Sequence, residues 1–102
     1  MAIRKTLTTT LADETIATSY VSTLQANTTF KSLLEASNNE TYKTGNTTAV
    51  VDGAVVRTLT YEFADQATAD AYATAVQDAT SCINSLIEEN ANITRSVKVE
   101  EI

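Results

Sequence analysis

The chain has 102 residues, 43% of them hydrophobic and 20% charged, with a formal net charge of −6. That length supports one domain, residues 1–102, whose folding can bury roughly two-thirds of the unfolded chain's surface. The acidic balance argues against nucleic acid and anionic membrane surfaces as partners, because both select basic patches. Nineteen threonines, two glycines and no proline leave few breakers for irregular loops, and no glycine-rich phosphate loop.

Residues 3–11 alternate, with Ile3, Leu7 and Leu11 on one parity and Arg4, Thr6, Thr8 and Thr10 on the other. This predicts a strand with one buried face. Asp13 stands where a helix cap belongs, with Glu14 in the first turn and Ile16, Tyr20 and Leu24 following at helical spacing. Phe30, Leu33 and Leu34 continue the pattern beyond Asn27-Thr28-Thr29, a poor helix interior. One kinked helix or two consecutive helices are expected over residues 13–36, ended by a loop at Ser37-Asn38-Asn39-Glu40.

Asp52-Gly53 lies between Thr47–Val51 and Ala54–Phe63, two runs rich in β-branched residues. A two-residue Asp-Gly loop predicts a hairpin with positive φ at both turn positions. The implied register sets Val51 opposite Ala54, Val50 opposite Val55 and Thr48 opposite Arg57; continued outward it sets Lys43 opposite Glu62, unless a bulge at Gly45 intervenes. Asp65 then caps one long helix whose apolar stripe is Tyr72, Val76, Ala79, Ile83, Leu86 and Ile87. A last strand is expected over 93–99, with Ile93, Val97 and Val99 on one parity.

The order strand, helix, two-stranded hairpin, helix, strand predicts an α+β fold of βαββαβ type. Its antiparallel sheet would be ordered 4-1-3-2, with two helical segments on one face. Ile3, Leu7, Leu11, Leu59, Tyr61, Phe63, Val97 and Val99 would face the helices, and the threonines would form the opposite face. The passage from Thr60 to Tyr72, a strand leading through Asp65 into a helix, resembles the corresponding passage of ferredoxin-like proteins. The whole order is similar to the dimeric α+β barrel type of that fold. This resemblance implies pairing through the open sheet face. The short, Thr- and Asn-rich, proline-free style also resembles small proteins of marine phages and ocean metagenomes. Neither resemblance supplies a motif whose functional residues transfer, since the fold hosts many functions.

There is no histidine, and no EF-hand, Walker or dinucleotide-binding pattern. No metal ligand set, cofactor or catalytic residue is therefore assigned, and an enzyme is less expected than a binding protein. Cys82 is alone and predicted to be buried beside Ile83. A single cysteine, no apolar leader and no apolar run of membrane length fit a soluble cytoplasmic protein. Four Asn-x-Thr triplets, at Asn27, Asn39, Asn46 and Asn92, are read as unglycosylated.

Two features stand out. Val50, Val51, Val55 and Val56 make the hairpin tip apolar on both sides, which predicts an interface in a homo-oligomer, a two-fold dimer above all. Arg57 and Arg95 carry the parity of the helix-facing residues. They are expected near one end of the sheet, close to Asp13-Glu14 and Glu88-Glu89, with Lys5 at the other end. Either they form an ion-pair cluster sealing the core, or they form a small-anion or carboxylate site to which Tyr20 adds a hydroxyl. Three functions are open. One is a non-enzymatic homo-oligomeric binding or assembly module without a deep polar pocket. A second is a small ferredoxin-like enzyme with a cleft between sheet and helices lined by Tyr20, Tyr61, Arg57 or Arg95. The third is an acidic decoy that binds a cellular protein.

Overall fold

A computed structural model describes residues 1–36 and 39–102. Strand β1 (Ile3–Leu11) leads to helices α1 (Glu14–Ala26), α2 (Thr28–Ala36) and the single turn α3 (Asn39–Tyr42). The hairpin β2 (Lys43–Val51) and β3 (Ala54–Phe63) follows, then α4 (Gln66–Ala75), α5 (Gln77–Glu88) and β4 (Ile93–Glu101). All strand pairs are antiparallel, and the sheet order β2-β3-β1-β4 is the expected 4-1-3-2 order read from the other edge.

Local chemistry explains most element boundaries. Asp13 Oδ1 accepts from the Ile16 N–H at 2.8 Å, and Asp65 Oδ1 from the Thr68 N–H at 2.8 Å, so both predicted caps satisfy orphan donors of a first turn. Asn27 divides the first helical stretch: it leaves helical angles and its Oδ1 accepts from the Phe30 N–H at 2.9 Å, starting α2. At the hairpin tip Asp52 and Gly53 have φ of 50° and 84°, the pair of positive values that a tight hairpin turn demands.

Several expectations need correction. The two expected helical segments are five helices. The single helix after Asp65 is broken at Val76, where φ is −97° and ψ is 5°. No proline or glycine marks that break; it lets α4 pack on β3 while α5 reaches β4. Asn39 and Glu40 belong to the turn of α3 rather than to a loop, and Ser37 and Asn38 lie outside the described residues. A register shift between Lys43 and Gly45 puts Lys43 opposite Tyr61, not Glu62. The last strand runs to Glu101.

The core has two parts. Ile3, Leu7, Tyr61, Phe63, Tyr72 and Val76 form one cluster; Leu11, Tyr20, Val55 and Ile93 form the other, with Ile16, Val21, Leu24, Leu86 and Ile87 packed around it. Tyr72 touches Tyr42, Tyr61 and Phe63 at ring-centroid separations of 5.5, 5.5 and 5.2 Å. Such aromatic contacts add to the area term at about 0.5–1.5 kcal/mol each. Val97 and Val99 have the helix-facing parity but are 54% and 59% exposed, because no helix covers that part of the edge strand. Val55, expected at an interface, is buried in the chain's own core. Cys82 is only partly buried.

Candidate functional site: a cationic cleft between sheet and helices

Strand pairing sets the helix-facing side chains of the sheet in rungs, each spanning β2, β3, β1 and β4 in that order. The first is Val50, Val55, Leu11 and Ile93. The second is Thr48, Arg57, Thr9 and Arg95. The third is Asn46, Leu59, Leu7 and Val97, and the fourth is Lys43, Tyr61, Lys5 and Val99. Successive rungs lie about 7 Å apart. The second rung places two guanidiniums and two threonines between Val55, Leu11 and Ile93 on one side and Leu59, Leu7 and Val97 on the other. Helices cannot close over such a rung without burying its charges unpaired, which is costly. The core accordingly divides on either side of it, and a cleft of about 310 Å³ lies over Leu7, Thr9, Arg57, Leu59 and Arg95.

Five of the seven basic residues line this cleft: Lys5, Lys31, Lys43, Arg57 and Arg95. Not one of the thirteen acidic residues does. Tyr20, Tyr61 and Tyr72 add phenol groups, and Leu24, Leu59 and Ile83 are among the apolar walls. Both arginines and Tyr20 line this one cleft. The expected ion pairs to Asp13-Glu14 and Glu88-Glu89 do not form: among the described residues Arg57, Arg95 and Lys5 have no salt bridge. The ion pairs that form involve other cations. Arg4, on the opposite face of the sheet, meets Glu62 at 3.5 Å and Glu100 at 3.7 Å, and Lys43 meets Glu40 at 2.8 Å.

The free cations differ in their surroundings. The Arg57 guanidinium carbon lies 6.0 Å from the centroid of the Tyr20 ring, a cation–π geometry. Arg95 Nε is sealed from solvent and has no hydrogen-bond partner among the described residues. Burial lowers the Arg95 pKa, opposed by the nearby Tyr20, Tyr61 and Tyr72 hydroxyls; a guanidinium nevertheless keeps its proton. Burial, then the charge of Arg95, lowers the Lys5 pKa. Lys5 was expected at the far end of the sheet; two rungs from Arg95, it nevertheless lines the same cleft and feels the charge of that guanidinium.

Tyr72 donates a hydrogen bond to Asn39 Oδ1 in the interior. Burial, reinforced by Tyr61, pushes the Tyr72 pKa well above that of a free phenol. Lys5, Lys31, Lys43 and Asn39 were not singled out as site residues by sequence reasoning. Lys5 and Thr9 carried a usable signal, since both have the parity of Ile3, Leu7 and Leu11. Lys31 and Asn39 carried none, because only helix placement brings them to the cleft. Among the described residues no group of three or more Cys, Asp or Glu side chains could hold a metal ion, and no helix is long and apolar enough to cross a membrane.

The fold has clear counterparts among solved structures. A dimeric ferredoxin-like protein from an uncultured marine organism matches with a TM-score of 0.63 at 10% identity, over 99% of this chain and 94% of that one. A de novo designed protein, Foldit4, matches with a TM-score of 0.56 at 11% identity, over 100% and 99%. The Mycobacterium tuberculosis protein Rv0793 matches with a TM-score of 0.51 at 11% identity, over 97% and 94%. No family model and no curated protein matches the sequence. At these identities the likeness shows a ferredoxin-like α+β fold and nothing of function.

Proposed function

We propose that the chain is a homodimeric binding module that takes a small organic anion, with an apolar or aromatic body, into the cleft between sheet and helices. The observation that carries this reading is the charge segregation: five of seven cations line one cleft that no carboxylate enters, in a chain of net charge −6. A structural role for those cations would call for acidic partners; Lys43 has one in Glu40, but among the described residues Lys5, Arg57 and Arg95 have none, although the chain has thirteen acids. A carboxylate ligand would supply the missing partner, bound by charge-assisted hydrogen bonds to Arg95, Arg57 and Lys5. The cleft volume of about 310 Å³ lies at the small end of ligand pockets, and its leucine and tyrosine walls suit a flat apolar body.

Dimerisation has separate support. No helix covers the face formed by Thr6, Thr8, Thr10, Thr58 and Thr60, and Val51 and Val56 extend that same face into an apolar end at the hairpin tip. A second copy is the occupant that fits a two-fold, self-complementary surface, and a protein of the same fold is described as dimeric.

The test of the ligand reading is a titration of the full chain with phenylacetate and, in parallel, with neutral phenylacetamide, followed by nuclear magnetic resonance. The carboxylate is expected to shift resonances of Leu7, Thr9 and Arg95, and the amide to leave them in place. Equal responses to both compounds, or none to either, would end the reading.

A further inference from the structure

Lys5 differs in kind from the arginines beside it. A guanidinium holds its proton and acts as a fixed charge, whereas a primary amine can lose its proton and form a covalent bond. A half-buried lysine is ordinarily matched by a carboxylate. Arg4, one residue earlier on the opposite face of β1, has two such partners in Glu62 and Glu100. Lys5 has none among the described residues, although it is no more than partly exposed and lines a cleft. Its position is also rigid. β1 is a central strand, and Lys5 is held in register with Tyr61 on one side and Val99 on the other.

We propose that Lys5 captures a 2-oxo acid as an imine, with the ligand's carboxylate held at Arg95. The inference rests on the cleft being an anion site and names both the class of ligand and the bond it forms. Lys5 and Arg95 both line the cleft and interact electrostatically, so a ligand whose carboxylate binds the guanidinium can turn an adjacent carbonyl carbon toward the amine. The charge of Arg95 and the apolar surroundings both favour the neutral amine, two ways in which a lysine is made nucleophilic at ordinary pH. The Lys5 ammonium first releases a proton to solvent. The neutral Nζ then adds to the carbonyl carbon, and the carbonyl oxygen takes up the proton that the nitrogen loses. The carbinolamine so formed expels water as the C=N bond closes. No oxidant, reductant or metal enters the step. Tyr61 and Tyr72 line the same cleft.

The experiment is reductive trapping on the wild-type chain. The protein is incubated with phenylpyruvate and sodium borohydride, digested, and the modified lysine located by mass spectrometry. The expected result is a single adduct on Lys5, suppressed by excess phenyllactate and lost in Lys5→Arg. Lys31, Lys43 and Lys98 are internal controls within the same chain, so the result does not depend on how well the variant folds. Label spread over the exposed Lys31 and Lys98, or no adduct on Lys5, overturns the proposal. The phenylacetate titration separates the two levels of inference. If phenylacetate binds in the cleft and no adduct forms on Lys5, imine capture falls and the anion site stands. If phenylacetate does not bind, the site itself falls.

Discussion

Replacing Arg95 by methionine should move stability and binding in opposite directions. Arg95 Nε is buried and lacks a hydrogen-bond partner, and no carboxylate neutralises its guanidinium among the described residues. A buried polar group left unsatisfied costs about 1–3 kcal/mol. Methionine has a similar reach, has no polar hydrogen to satisfy, and fills irregular apolar space. The Arg95→Met chain without ligand is therefore expected to gain about 1 kcal/mol, which raises Tm by roughly 4–8 °C in a domain of this size. A hydrogen bond to a charged group contributes about 1.5–3 kcal/mol, so the same substitution should weaken phenylacetate binding by about 10- to 150-fold. Thermal melts followed by circular dichroism give the first quantity and calorimetric titration the second. A stable protein that binds poorly is the pattern of a residue kept for its ligand at the expense of stability. If Arg95→Met instead melts several degrees below wild type, the guanidinium is a structural element and the reasoning from its missing partners is refuted.

Two further outcomes follow from the geometry. The native state lowers the pKa of Lys5 from its ordinary 10.5, so between those two values the unfolded chain binds more protons and stability rises with pH. Tyr72 has the opposite sign: its native pKa is raised above 10.0, so the stability it contributes is present below that value and is lost as pH climbs past it. Urea midpoints measured over the alkaline range should therefore rise and then fall; Lys5→Met should flatten the rise and Tyr72→Phe the fall, and a wild-type profile declining throughout would contradict the first assignment. For the dimer, light scattering is expected to give the mass of two chains for wild type and of one for Val51→Glu. Val51 is 53% exposed in the single chain, so glutamate should not unfold it. A wild-type protein that stays monomeric at high concentration would remove the dimer.

The secondary structure and strand order were legible because they depend on short-range chemistry. Asp13 and Asp65 cap helices since a carboxylate three residues ahead of a free N–H can accept from it whatever lies beyond. Asp52-Gly53 makes the turn because few other pairs tolerate positive φ twice, and the turn then sets the register from Val51 to Thr48. The break at Val76 was not legible, since no residue there forbids a helix and the bend answers to what α4 and α5 pack against. The bulge near Gly45 could be named as an alternative, but its effect on Lys43 depended on the pairing partner.

The sequence by itself determined that Arg57 and Arg95 would share the helix-facing side of the sheet, because side chains alternate along a strand with a period of two. It also determined that the reverse side would be hydroxyl-rich. Whether those arginines met acids or a cavity was decided only by tertiary structure. Parity says which face a side chain takes and nothing about what is packed above it. The helices leave a cleft over the charged rung, no acid lines it, Arg4 on the far face takes Glu62 and Glu100, and Lys5 lines the cleft from two rungs away. Val97 and Val99 make the same point from the apolar side: they have the right parity, but they lie on the part of the edge strand that the described helices leave uncovered, and so they remain in water.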